Sequence, residues 1–156
     1  MGSDTYRCGG PGTGHAMKLT NNLLATTIMV ANTEALAIGT RCGLSLETMM
    51  EIMKTTMAFN HQLFVAMPKK AFKGDDSPGF AVKLACKDVR LACDLAEAQG
   101  FSALVGRGAQ RTMEEAMAAG FADRDTAALM RIREDQLGVK VRPAEAGAAG
   151  GAAPAA

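Results

Sequence analysis

Tryptophan is absent from the 156 residues, and aromatic side chains make up only 4% of them, as one Tyr and six Phe. The apolar quota is filled instead by 11 Met and many Ala. Such a chain is short of the residues that pleated sheets favour and rich in those that favour helices packed closely on helices. An excess of one charge is lacking too, since 17 Lys and Arg stand against 16 Asp and Glu. No global field therefore draws the chain to nucleic acid or to a membrane surface, and a partner must be recognised locally. His15 and His61 each lack a second ligand at metal spacing, which argues against a metal site. Cys8, Cys42, Cys86 and Cys93 match neither a zinc nor a thiol-redox spacing. Cys86 and Cys93 fall on one face of an expected helix, about 10 Å apart and beyond disulfide reach. The expectation is reduced, packed thiols in a cytoplasmic protein. No secretion signal is read at the N-terminus, and no apolar run is read as long enough to span a bilayer.

The apolar residues that are present recur at helical spacing. From His15 to Ile38 the stretch HAMKLTNNLLATTIMVANTEALAI carries Leu19, Leu23, Leu24, Ile28, Met29, Ala31, Ala35 and Leu36 on a helical period. That pattern predicts one long helix buried on more than one side. Gly39 and Gly43 bracket its end, and Ser45 is placed to cap a second helix running to about Met57, with Glu47 in its first turn. NHQLFVAMPKKAF reads as helix interrupted at Pro68, KGDDSPGF as a turn, and AVKLACKDVRLACDLAEAQ as a second long helix ending at Gly100. A fifth helix is expected from Ala103 to Ala119 and a short one after Asp123 or Asp125. The fold class is all-α, a helical domain over residues 1–137 built round two long helices. Residues 138–156 are expected to form a disordered Ala/Gly-rich tail, because so little side chain cannot offset the entropy of ordering it.

One stretch, GGPGTGHAMKLTNN, sets four glycines and a proline directly ahead of Lys18, Asn21 and Asn22. Lys18 and Asn22 are spaced to share a helix face, one turn from the N-terminus. An amine there meets the positive end of the helix dipole, a field that opposes the ammonium charge and suits proton exchange. Asn22 is placed to orient either the lysine or a substrate oxygen. A solvated lysine beside a hydrogen-bonded asparagine accounts for the same spacing. What sets the pair apart is a polar cluster in an otherwise apolar helix, just behind a loop of backbone donors. The loop itself, G-x-G-x-x-x-K from Gly12 to Lys18, is neither the dinucleotide fingerprint nor the phosphate loop. It serves either as a tight turn or as a seat for a carboxylate. Lys83 and Lys87 share a face of the second long helix, as a solvated pair or as a contact. The run MMEIMKTTM is adaptable core or a subunit contact.

Four segments in order, GPGTGHAMKLTNNLL, EALAIGTRCGLSLETMMEIM, SPGFAVKLACKDVRLACDLAEAQG and AAGFADRDTAAL, resemble the C-terminal half of the β-hydroxyacid dehydrogenase family. The resemblance runs from about Met1 to Leu129. It implies a helical fold like the C-terminal domain of 6-phosphogluconate dehydrogenase, with NAD or NADP as cofactor. The reaction it implies interconverts a small 3-hydroxy acid and its semialdehyde, of the 3-hydroxyisobutyrate, 2-hydroxy-3-oxopropionate or sulfolactaldehyde type. By the same resemblance Lys18 is the catalytic general acid/base, while Asn22, Gly14, Phe80 and Asp88 serve the substrate. Lys87 contacts the cofactor, and there is no metal. A homodimer or homotetramer through the first long helix is implied, with no nucleic acid and no membrane as partner. The family's first strand, G-x-G-x-x-G turn, ribose-binding acidic residue and Ser-Gly-Gly segment are not found in this sequence. It therefore reads as an isolated C-terminal domain, poor or silent in catalysis by itself. MAFNHQ also lacks the Gly and Ser common at that place in the family, which leaves the substrate class open. A second expectation, from a different class, is a non-catalytic helical dimerisation module.

Overall fold

The long apolar run folds into helix α1, Thr13–Arg41, in the computed structural model, which describes residues 5–144. Gly12 starts it in the left-handed conformation, φ 86°, where a side chain would be strained, and no side chain caps the first turn. The helix ends at Arg41, between Gly39 and Gly43 as the spacing predicts. A Cβ at Gly39 would overlap the Met49 sulfur, so the bare glycine is the seat on which the next helix packs, and α1 runs on to Arg41.

Helix α1 buries Leu19, Met29, Val30, Leu36 and Ala37, together with Thr26 and Thr33, against α3, Val82–Ala98, α4, Leu104–Ala116, and α5, Ala128–Leu137. Apolar periodicity passes over the two threonines. Thr33 is tolerated inside because its hydroxyl donates to the Val30 carbonyl at 2.7 Å. Burial is less complete than the pattern predicts, since Leu24 and Ile38 are 63% and 57% exposed. By length and composition α1 could cross a membrane, which corrects the sequence expectation that no run could. That reading counted uninterrupted apolar residues, whereas mean hydropathy averages across the intervening threonines and asparagines.

Helix α2, Leu46–Lys54, starts where its cap predicts: the Ser45 Oγ accepts the Thr48 N–H at 3.1 Å. Three short helical turns follow, Gln62–Ala66, Met67–Lys69 and Ala71–Lys73, burying Leu63, Met67 and Phe72. The N-terminus of α3 has no side-chain cap. Its Val82 and Lys83 N–H groups donate instead to the carbonyls of Arg124 and Ala122, at 2.9 and 3.0 Å. A remote turn thus satisfies donors that helix starts leave orphaned. Ala81 and Asp125 form an isolated antiparallel bridge there, and no strand occurs among the described residues, as the all-α expectation requires.

Cys86 and Cys93 are buried on α3, and that burial pushes both thiols up from their ordinary range. Cys8 and Cys42 are exposed, which corrects the expectation of four packed thiols: one precedes the first helix and the other caps its end. Gly106 of α4 has a Cβ position only 2.7 Å from Leu23 Cδ1 and 2.8 Å from Cys93 Sγ, so its bareness lets α4 close on both α1 and α3. Residues 138–144, assigned from sequence to the tail, pack against the domain. Val141 is fully buried, and its N–H donates to Glu134 at 2.8 Å. Residues 145–156, the rest of the expected tail, lie outside the described residues.

Candidate active site

Two helices build the site. Lys18 and Asn22 stand one turn apart on α1, and α3 brings Asp88 across to both. The Lys18 Nζ lies 3.0 Å from Asp88 Oδ1 and 2.9 Å from Oδ2. The Asn22 amide donates to the same Oδ2 at 2.7 Å, and its own oxygen accepts Asn21 at 3.2 Å. Asp88 is 4% exposed, so its charge stands in a poorly hydrated place. A buried charge persists only when it is paired and hydrogen-bonded, and here it is both.

Burial pushes the Asp88 carboxyl up, but the bonds from Lys18 and Asn22 and the charges of Lys18 and Lys87 outweigh it and hold the acid below its ordinary range. The folded value lies below the unfolded one. The stabilisation is therefore complete above the unfolded value and is lost as pH falls through the folded one. A carbon-13 titration of the Asp88 carboxyl is expected to show a midpoint below that of an unstructured aspartate, moving upward in Asn22→Ala. A wild-type midpoint at or above the unstructured value would contradict this account.

The Lys18 side chain remains 55% exposed, so the ammonium is held from one side only and keeps N–H capacity for an oxygen placed on the other. The helix-start field that repels a cation is opposed by a carboxylate at 2.9 Å. Gly14 lies in the first turn of α1 with no atom near a Cβ built on it, and its φ is not left-handed. Backbone conformation demands glycine at Gly9 and Gly12 in this segment, while Gly14 supplies open space. The N–H groups of Gly14 and His15 meet no protein acceptor among the described residues. Lys87 is exposed beside Asp88 on α3 and makes no ion pair among the described residues. An unengaged ammonium and unclaimed backbone donors suit a ligand bearing anionic and carbonyl oxygens, as a nicotinamide dinucleotide does.

Phe80 is placed apart from this group. It walls a cleft of about 350 Å³ with Met29, His61, Gln62, Lys70 and Thr126, a cleft that does not include Lys18. Asp125, which the sequence reading passed over as a helix-start marker, accepts the Phe80 N–H at 2.9 Å. Its only sequence signal is an acidic residue just ahead of a short helix.

Residues 12–133 match the family model described as the NAD-binding of NADP-dependent 3-hydroxyisobutyrate dehydrogenase. The chain is 33% identical over 141 residues to a 2-(hydroxymethyl)glutarate dehydrogenase of Eubacterium barkeri, an alignment covering 90% of this chain and 47% of that protein. It is 30% identical over 130 residues to a 3-sulfolactaldehyde reductase of Escherichia coli K12, covering 83% and 44%. A solved structure of 3-hydroxyisobutyrate dehydrogenase from Salmonella typhimurium superposes with a TM-score of 0.74 at 29% identity, covering 83% of this chain and 46% of that one. The chain thus spans about half the length of the curated relatives it matches, 47% and 44% in the two cases given. The cofactor class named by the family model is NAD or NADP, in agreement with the sequence expectation. With its helical fold and the match over most of its length, the chain belongs to the β-hydroxyacid dehydrogenase family, as a C-terminal-type helical domain.

Proposed function

We propose that this domain carries the proton-transfer half of an NAD(P)-dependent oxidoreductase that interconverts a small 3-hydroxy acid and its semialdehyde. The observation that carries the reading is the half-exposed Lys18 ammonium, held from behind by Asp88 with Asn22 on the same carboxylate. A bound nicotinamide supplies the hydride in reduction and accepts it in oxidation. Lys18 Nζ gives a proton to the carbonyl oxygen as the alcohol forms, and its exposure lets solvent restore that proton. In oxidation the neutral amine takes the hydroxyl proton. Asp88 keeps the amine in register and balances its charge, while Asn22 fixes Asp88 and presents its amide edge beside the reacting oxygen. Lys87 would hold part of the cofactor, and Gly14 would give room for the substrate against the start of α1. The relatives named above act on a hydroxymethyl dicarboxylate and on a sulfonated aldehyde, which supports a small acid bearing a primary alcohol or aldehyde.

Taken alone, the 156-residue chain is expected to turn over slowly or not at all, because rate enhancement requires both reactants to be positioned. The test is an assay of the purified chain with 3-hydroxyisobutyrate and NAD or NADP, with and without an added nucleotide-binding domain from a related dehydrogenase. Activity that appears only on addition supports the reading. Ordinary turnover by the chain alone would refute the expected silence.

A second reading, a helical module that only dimerises, is favoured by one observation. Leu24 of α1 lines an apolar cleft of about 390 Å³ with Phe101, Leu104 and Val105. The last three are 65%, 75% and 73% exposed, a patch that suits a second copy as homodimer or homotetramer. Light scattering showing a strict monomer at micromolar concentration would count against it. The unpaired thiols suit a reducing compartment, and we place the protein in the cytoplasm.

A further inference from the structure

The Asn22 side chain is held at two points, and the pairing of Lys18 with Asp88 accounts for only one of them. Its amide nitrogen donates to Asp88 Oδ2 at 2.7 Å, while its oxygen accepts the Asn21 side-chain amide at 3.2 Å. Neighbours on a helix ordinarily face apart, so the second bond requires the two side chains to lean together. Asn21 is exposed, and its side chain donates to no other protein acceptor among the described residues.

One bond to a carboxylate leaves an amide free to turn, because a carboxylate oxygen accepts from a broad range of directions. A second bond at the opposite corner of the amide fixes its plane. The Asn22 amide has two N–H groups and one oxygen to place. Asp88 takes one N–H and Asn21 engages the oxygen, which leaves one N–H without a protein acceptor among the described residues. The nitrogen that carries this free N–H and the Lys18 Nζ share one oxygen atom, Asp88 Oδ2, at 2.7 and 2.9 Å. The unclaimed donor is thus held close to the proton-transferring amine, and the accepting side of the amide is turned to Asn21.

We propose that Asn21 is a positioning residue: by holding the Asn22 oxygen it fixes the plane of the Asn22 amide and keeps its free N–H aimed as a donor to the reacting oxygen of the substrate. The proposal rests on the reading of Lys18, Asn22 and Asp88 as the proton-transfer site. It assigns Asn21 no contact with substrate or cofactor.

The test has two readouts. Nitrogen-15 relaxation of the asparagine side-chain amides is measured on the 156-residue chain, the Asn22 pair being the one lost in Asn22→Ala. Asn21→Ala is expected to lower the order parameter of that pair, a mobility that a merely structural role would leave unchanged. In the chain supplemented with a nucleotide-binding domain, the same variant should lower kcat for oxidation of 3-hydroxyisobutyrate about fivefold, the net worth of one neutral hydrogen bond. KM should change little, because the reacting oxygen carries more negative charge in the transition state than in the alcohol and misses a displaced donor most there. Asn21→Asp keeps the size of the side chain and removes its donor, so it should reproduce both effects. The exposed position lets both variants fold. An Asn22 amide as rigid in both variants as in the wild type overturns the proposal, whatever the supplemented mixture does. So does a mobile amide with unchanged kcat, or a loss confined to KM, when Asn22→Ala in parallel lowers kcat. If Asn22→Ala also leaves kcat unchanged, the active-site reading itself fails, and this proposal falls with it.

Discussion

Replacing Lys18 by methionine is expected to lower kcat about a thousandfold in the reconstituted assay, the usual worth of a positioned general acid/base. The loss should appear equally in kcat/KM, because the proton moves only in the transition state. Stability should fall as well, because Asp88 is 4% exposed and methionine leaves its carboxylate with Asn22 as its one side-chain hydrogen-bond donor. Lys18→Arg separates the two roles. A guanidinium keeps the positive charge and can pair with Asp88, yet it does not release a proton in the accessible range. The arginine variant should therefore melt like the wild type and remain as inactive as the methionine variant. Activity of Lys18→Arg within tenfold of wild type would show that the lysine supplies charge alone.

The largest expected effect on stability lies at the other end of the molecule. Glu134 on α5 has a fully buried side chain, and it accepts the Val141 N–H at 2.8 Å and the Arg142 guanidinium, one contact of which measures 3.0 Å. Val141 itself is fully buried, so the carboxylate is what carries this backbone donor into the core. Glu134→Ala strands an amide proton and leaves Arg142, 28% exposed, without its carboxylate. The cost should be about 3 kcal/mol, read as a fall in Tm of roughly 10 °C. Glu134→Gln retains an acceptor for the amide and should lose less. Equal losses in the two variants would mean that the charge, not the amide bond, holds residues 138–144 in place.

Most of the helical framework was legible in the sequence, because periodicity and caps are local. Ser45 caps α2 where its spacing says, and the second long helix occupies the stretch its apolar positions mark. The errors have a common cause. The apolar period passed over Thr33, which is fully buried, and Val141 looked like tail and is core. Each depends on a neighbour far along the chain, which local spacing does not record. The same division runs through the site. Lys18 and Asn22 could be paired from sequence, since one helical turn separates them.

The amino-acid sequence by itself determined an all-α domain and a lysine and an asparagine on one face of its first helix, because helix formation answers to residues three and four positions away. Only the tertiary structure decided that Asp88 joins them from 70 and 66 residues further on, and that Asp125 ties down Phe80 from 45 residues beyond it. Those meetings rest on how α1, α3 and the turn before α5 pack. The Asp88 carboxylate can be buried because Lys18 and Asn22 reach it from α1, and the Asp125 carboxylate because Lys70 and the Phe80 N–H reach it from earlier stretches.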